Sequence, residues 1–146
     1  MSIDPTQQQL EELAAIAGGG ADGPLVMLNL NRYRERAAYA AETEDGVDPD
    51  VSGREAYARY GVVAIGVIHR VGGSIVWSTG ATLTVVGEQQ ERFDDVIAVR
   101  YPSAQAFLDL VADPAMAHAK VHRDAGLEHA LVIRCDDAGS GPLRGL

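Results

Sequence analysis

Asn29 stands inside an apolar run, between Leu28 and Leu30, and far along the chain His122 and Arg123 follow His118 by one helical turn. An amide among apolar side chains is costly to bury unless it is paired. Paired with a ligand, it holds a carbonyl oxygen or an oxyanion; otherwise it ties neighbouring backbone or a bulge. A histidine such as His122 is suited to general acid–base work near neutral pH, and Arg123 can fix a carboxylate. The bland readings are a capping or ion-paired histidine, and an exposed arginine bonded to Asp124 or Glu128. Asp95, preceded by Asp94, opens a strand, where a carboxylate serves either as a base at a pocket mouth or in turn chemistry. Asn29, His122 and Asp95 are thus the candidate catalytic residues.

Tyr57 and Tyr60 fall on the apolar side of a long helical pattern, and Trp77 follows it on a strand. Aromatic rings with polar tips line small-molecule pockets and ordinary cores alike. With Arg123, Asn31 and His118 they complete the candidate substrate-binding set. His118 and His122 share a helical face at the i, i+4 spacing of a metal pair, but no Glu follows His118 and no third ligand is evident. His69 and His129 sit in other elements, so neither a metal nor an organic cofactor is expected. Arg100 and Arg134 are mid-strand charges suited to a substrate acid, a sheet edge or an interface between copies.

Other patterns fail on context. Gly18-x-Gly20-x-x-Gly23 follows a helix and precedes a strand, the reverse of a dinucleotide site. The acids between Asp45 and Asp50 lack calcium-loop order and enclose Pro49. No nucleophile elbow occurs, and Cys135 at a strand end reads as core.

The elements that must position these residues follow from period and punctuation. Asp4-Pro5 starts a short amphipathic helix carrying Leu10, Leu13 and Ile16, ended by Gly18-Gly19-Gly20. Residues 25–31 form a strand, with Val26, Leu28 and Leu30 on one face and Leu25, Met27 and Asn29 on the other. Residues 32–51 are acidic and aperiodic, apart from one turn of helix near 37–42; so long a connection is functional or mobile. Ser52 and Glu55 form a capping box for a long helix that ends at Gly72-Gly73. Residues 74–86 read as one strand bending at Gly80, and residues 95–101 as the next. Ser103 and Asp113-Pro114 open two further helices, the second running to about Leu127, before a last strand over 130–135. Residues 1–23 are therefore an N-terminal helix and turn, 24–136 the domain, and 137–146 a loose tail.

That order, strand-helix-strand-strand-helices-strand, predicts an α+β, ferredoxin-like β-α-β-β-α-β domain: a four-stranded antiparallel sheet with its helices on one face. Both faces of its strands are apolar, however, with Leu25 and Met27 opposite Val26 and Leu28. Each such side chain contributes roughly 1.5–3 kcal/mol when buried, so the helix-free face is expected to meet a second copy through a two-fold axis. At 146 residues the chain suits one domain. Its net charge of −9 disfavours nucleic acid and anionic membranes as partners. A single cysteine, no apolar run of membrane length and no basic-then-apolar start lead us to expect a cytoplasmic protein. Arginine supplies nearly all its positive charge, which fits a GC-rich bacterial source.

Several stretches also resemble one family. They are Pro24-Leu25-Val26-Met27-Leu28-Asn29-Leu30, Ser52-Gly53-Arg54-Glu55-Ala56-Tyr57-x-x-Tyr60-Gly61, and Gly72-Gly73 followed by Trp77. Phe93-Asp94-Asp95-Val96, Tyr101-Pro102-Ser103, Asp113-Pro114 and Val121-His122-Arg123 continue the series. Their order and spacing, from about residue 4 to residue 136, resemble domain of unknown function 1330 of the dimeric α/β-barrel superfamily. The resemblance implies ferredoxin-like subunits paired sheet to sheet, with a pocket between each sheet and its helices. The superfamily includes cofactor-free monooxygenases, haem-degrading enzymes, a muconolactone isomerase and stress-response proteins, so it implies a fold more than a reaction. Asn31 departs from the apolar residue expected there and makes the pocket rim more polar. The expectation is a small-molecule-binding homodimer, either a cofactor-independent isomerase, lyase or monooxygenase for an oxygenated or carboxylated metabolite, or a non-catalytic ligand-binding or stress-response protein.

Overall fold

The computed structural model describes residues 2–137 and Leu143. The expected tail, 137–146, lies almost wholly outside the described residues. Element order is α1 (Gln7–Gly18), β1 (Leu25–Tyr33), α2 (Gly53–Arg70), β2 (Ser74–Gly80), β3 (Asp95–Tyr101), α3 (Ala104–Ala112), α4 (Pro114–Gly126) and β4 (Leu127–Asp136). The strands form one antiparallel sheet in the order β2-β3-β1-β4. This is the ferredoxin-like α+β fold that the element order predicts.

Capping chemistry sets most helix starts. Ser52 and Glu55 close the capping box of α2, Ser103 accepts from Ala106 N, and Asp113 caps α4 ahead of Pro114 at N1. Helix α1 begins two residues later than Asp4-Pro5 suggests. Thr6 and Gln9 supply its capping box, while Asp4 is drawn instead to Lys120 and Arg123. A second carboxylate, Asp22, accepts from Ala104 N at 2.7 Å and Gln105 N at 3.1 Å, so the α1–β1 turn helps cap α3. These backbone bonds, that to Ala104 above all, hold Asp22 below the ordinary carboxylate value.

The core lies between one face of the sheet and α2, α3 and α4, where Leu25, Met27, Val67, Ile68, Val99, Tyr101, Leu110 and Met116 cluster. Helix α1 packs on α3 rather than on the second sheet face. That second face stays apolar and open: Trp77 is 48% exposed, Leu131 40% and Ile133 47%.

The β2 strand stops at Gly80 instead of continuing to residue 86. Residues 81–94 leave the sheet as a loop, although their β-branched composition favours a strand; strand propensity counts only where a neighbour completes the ladder. Val86 is 93% exposed in that loop. Arg32, buried at the end of β1, fastens the loop by donating from Nη1 to Gln90 O at 2.8 Å and pairing through Nε with Glu128 at 3.1 Å.

The connection 34–51 contains turns but no helix. It is tied at both ends: Arg34 N and Ala38 N donate to Gly126 O and Ala125 O, and Ala37 N to Val51 O. Among the described residues, no helix is long and apolar enough to cross a membrane.

Candidate functional site

Strand register fixes which polar side chains share the helix-facing side. Two rows cross the sheet there, Ser78–Ile97–Asn29 and Gly80–Asp95–Asn31. Tyr33 continues the β1 alternation beyond Asn31 on the same face. At the β2 edge these rows floor a cleft of about 230 Å³, lined by Ser78, Thr79, Gly80, Asp95 and Ile97.

Asp95 is the hub. Its Oδ2 accepts from the Tyr33 hydroxyl at 2.7 Å and from Arg54 Nη1 at 2.7 Å. Among the described residues its Oδ1 accepts nothing. Arg54, in the first turn of α2, also lies over the Tyr33 ring, with Cζ 4.8 Å from the centroid. Its neighbour Asp94 is occupied elsewhere, accepting from Tyr33 N at 2.8 Å. The two adjacent carboxylates therefore divide the work, one closing the strand pair and one facing the cleft.

A row of phenols runs inward from this point. Tyr33 and Tyr57 rings are 5.3 Å apart, and Tyr57 and Tyr60 rings 5.4 Å. Burial, then the Asp95 carboxylate, pushes Tyr33 well above its ordinary 10.0. Burial likewise raises Tyr57, and takes Tyr60 up to about 12. All three stay protonated across the physiological range, and Tyr33 donates to Asp95. Asn31, only 2% exposed, faces the Tyr33 and Tyr57 hydroxyls, and this contact works against the rise of both phenols.

Asn29 occupies the helix-facing side, but its amide nitrogen donates to Met27 O and Ile97 O, both at 3.2 Å. It thus ties backbone, and what it can offer a ligand is an acceptor oxygen rather than oxyanion donors. His122 lies in another network. Arg59 Nη1 donates to the Tyr39 hydroxyl at 3.0 Å and to Asp48 O at 2.8 Å, and Tyr39 meets His122 Nδ1 at 2.8 Å. This network pins the 34–51 connection to α2 and α4. Burial, then Arg59 and His118, holds His122 below its ordinary 6.5.

Asn29 and His122 share neither a partner nor either of the described clefts. His118 is exposed beside Glu44 at 3.9 Å. Among the described residues, no three His, Cys, Asp or Glu side chains are grouped to hold a metal. The Arg123 guanidinium is engaged by Asp4 at 3.1 Å and by Ile3 O. Trp77 pairs with Ala98 on the opposite, open face, because a register shift between Ile75 and Trp77 turns it away from the helices. That face carries its own apolar hollow of about 460 Å³ between the 81–94 loop and the sheet, lined in part by Leu30, Val86, Phe93, His129 and Leu131.

Tyr33 and Arg54 are the site residues that sequence reasoning passes over. The period-two alternation Asn29, Asn31, Tyr33 carries the signal for the first. Nothing local carries it for the second, whose partner is 41 residues away.

Comparison with known proteins supports this architecture. The chain is similar to the RPA0582 protein of unknown function from Rhodopseudomonas palustris, with 36% identity, a TM-score of 0.80, and coverage of 94% of this chain and 98% of that one. A crystal structure of methylated RPA0582 gives 38% identity and a TM-score of 0.81 over 97% of this chain and 98% of that one. No functionally curated protein matches the chain. Residues 47–134, more than half its length, match the family described as Domain of unknown function (DUF1330). With that match and a relative of the same fold above 30% identity, the chain belongs to the DUF1330 family.

Proposed function

We propose that the chain binds a small oxygenated or carboxylated metabolite in the cleft at Asp95, and that Asp95 moves a proton there without a metal or organic cofactor. The observation that carries this reading is the fixing of one Asp95 oxygen by both Tyr33 and Arg54 at the wall of a cleft. A carboxylate so held offers its second oxygen as a positioned base. Isomerase, lyase and oxygenase chemistry all use a placed base with adjacent donors, so the reaction class stays at that level.

Native mass spectrometry of protein taken gently from its expression host tests the reading. A small molecule should be retained by the wild type and lost from Asp95→Asn. Retention unchanged in that variant would sink it. A non-catalytic ligand-binding dimer is the second reading, favoured by the engagement of His122 with Tyr39 away from the cleft. A ligand that leaves Asp95→Asn chemically unaltered, and leaves the wild type unaltered too, selects the binder.

The apolar second face supports pairing of two copies through their sheets. Trp77, Leu131 and Ile133 would then leave water, and the hollow beside the 81–94 loop would lie at the interface. The acidic charge gives no reason to add nucleic acid or a membrane surface to these partners, and a cytoplasmic setting suits such a protein.

A further inference from the structure

The charges around Asp95 narrow the chemistry of what the cleft accepts. Arg54 is 57% exposed at the side chain and spends one nitrogen, Nη1, on Asp95. Its other N–H groups make no hydrogen bond among the described residues. It stands in the first turn of α2, just past the Ser52 cap, where the helix dipole also favours an anion. Asp95 presents a free acceptor, Oδ1, beside this fork of donors. An acceptor and a cationic fork side by side complement a molecule carrying a donor and an anion on neighbouring carbons.

Charge and size limit the class further. Arg54 and Asp95 already cancel one another, so a carboxylate that carries an ammonium group is matched in charge, a hydroxy acid leaves one negative charge, and a phosphate dianion leaves two. The cleft's roughly 230 Å³ lies below the range of pockets for drug-sized ligands and suits a molecule of a few carbon atoms.

Resting on the Asp95 cleft as a ligand site, we propose that it takes a small carboxylate bearing a hydroxyl or ammonium donor on the adjacent carbon. Arg54 holds the carboxylate, and Asp95 Oδ1 accepts from the donor. Arg54 is then the residue that selects for the acid, and Asp95 the one that selects for the neighbouring group. Tyr33 keeps its bond to Asp95 Oδ2 throughout, so the carboxylate stays in place when Arg54 turns to the ligand.

The test titrates the full chain with glycolate, glycine, acetate and glycolamide at constant ionic strength. Backbone amide resonances of Ser78 and Asp95 and the Arg54 side-chain Nε–H are followed by nuclear magnetic resonance. Glycolate or glycine should bind about ten-fold or more tightly than acetate, and which of the two binds better tells hydroxyl from ammonium. Arg54→Gln should weaken that binding about ten-fold or more, with Arg54→Lys recovering part of it. Asp95→Asn should erase the advantage over acetate. Arg36→Gln, the same charge change at an exposed position bonded to Asp50, should change nothing. Equal binding of acetate, or affinity indifferent to Arg54→Gln, overturns the assignment. Tighter binding of glycolamide that depends on Asp95 overturns the acid class and leaves the cleft standing. Silence of these resonances to all four probes at tens of millimolar removes both.

Discussion

Tyr33 donates to Asp95 across the β1–β3 ladder at 2.7 Å, two residues beyond Asn31, which is the backbone partner of Asp95. The bond runs diagonally over the helix-facing surface and joins the last residue of β1 to the first of β3. It both closes the end of the strand pair and fixes one oxygen of the cleft's carboxylate.

Tyr33→Phe removes that donor and leaves the ring and its tilted packing against Tyr57. A hydrogen bond to a carboxylate contributes about 1.5–3 kcal/mol, and urea unfolding should show a loss of that order. Tyr33→Phe should also weaken ligand retention in native mass spectra, because Asp95 then turns on Arg54 alone.

Asn31→Leu is nearly isosteric and replaces a buried amide that faces the Tyr33 and Tyr57 hydroxyls and, among the described residues, donates to no carbonyl. Stability should stay level or rise by up to about 1 kcal/mol, while binding in the cleft falls. A stability loss above about 2 kcal/mol in the same urea experiment would mean that the amide is held by its surroundings.

Gly53 and Gly126 bring the start of α2 and the end of α4 together backbone to backbone. A Cβ on Gly53 would lie 2.7 Å from Gly126 O, and one on Gly126 would lie 2.8 Å from Tyr57 N. Backbone cannot give way as a side chain does, so Gly126→Ala should cost about 3 kcal/mol or more. Thermal melts of Gly126→Ala against Gly61→Ala, where a Cβ meets nothing within 4 Å, isolate the effect.

His122 is held below its ordinary value of 6.5, so the unfolded chain binds its proton more readily than the folded one. Its contribution to stability is complete above 6.5 and is lost as the pH falls through the lower folded value. Urea midpoints measured across that acid window should drop less steeply in His122→Gln than in the wild type. Identical slopes would remove His122 as the cause.

Ile133→Arg places a charge on the open sheet face, opposite Leu28 in the ladder. If that face pairs with a second copy, light scattering should find a dimer for the wild type and a monomer for the variant. An unchanged mass would exclude pairing through this face.

Much of the fold is legible in one dimension because its rules are local. Ser52 with Glu55, Asp113 with Pro114, and the alternation through β1 act over a few residues. The candidate site is less so. Asn29 and Asn31 look equivalent in sequence, on one face and two residues apart. What separates them is the set of carbonyls within reach: Asn29 finds Met27 O and Ile97 O, and Asn31, among the described residues, finds none. Trp77 follows a bulge that composition does not announce, and the 81–94 loop carries strand-forming residues with no strand beside them.

By itself, then, the sequence determined element order, the caps of α2, α3 and α4 and the two apolar faces of the sheet, since period, capping and turn chemistry are read from neighbours along the chain. Only the tertiary structure set Asp95, and not His122, in the lining of the cleft at the β2 edge. Its partners Tyr33 and Arg54 lie 62 and 41 residues away. Strand register and the seating of α2 over the sheet bring them together, and both depend on packing between distant segments rather than on any local pattern.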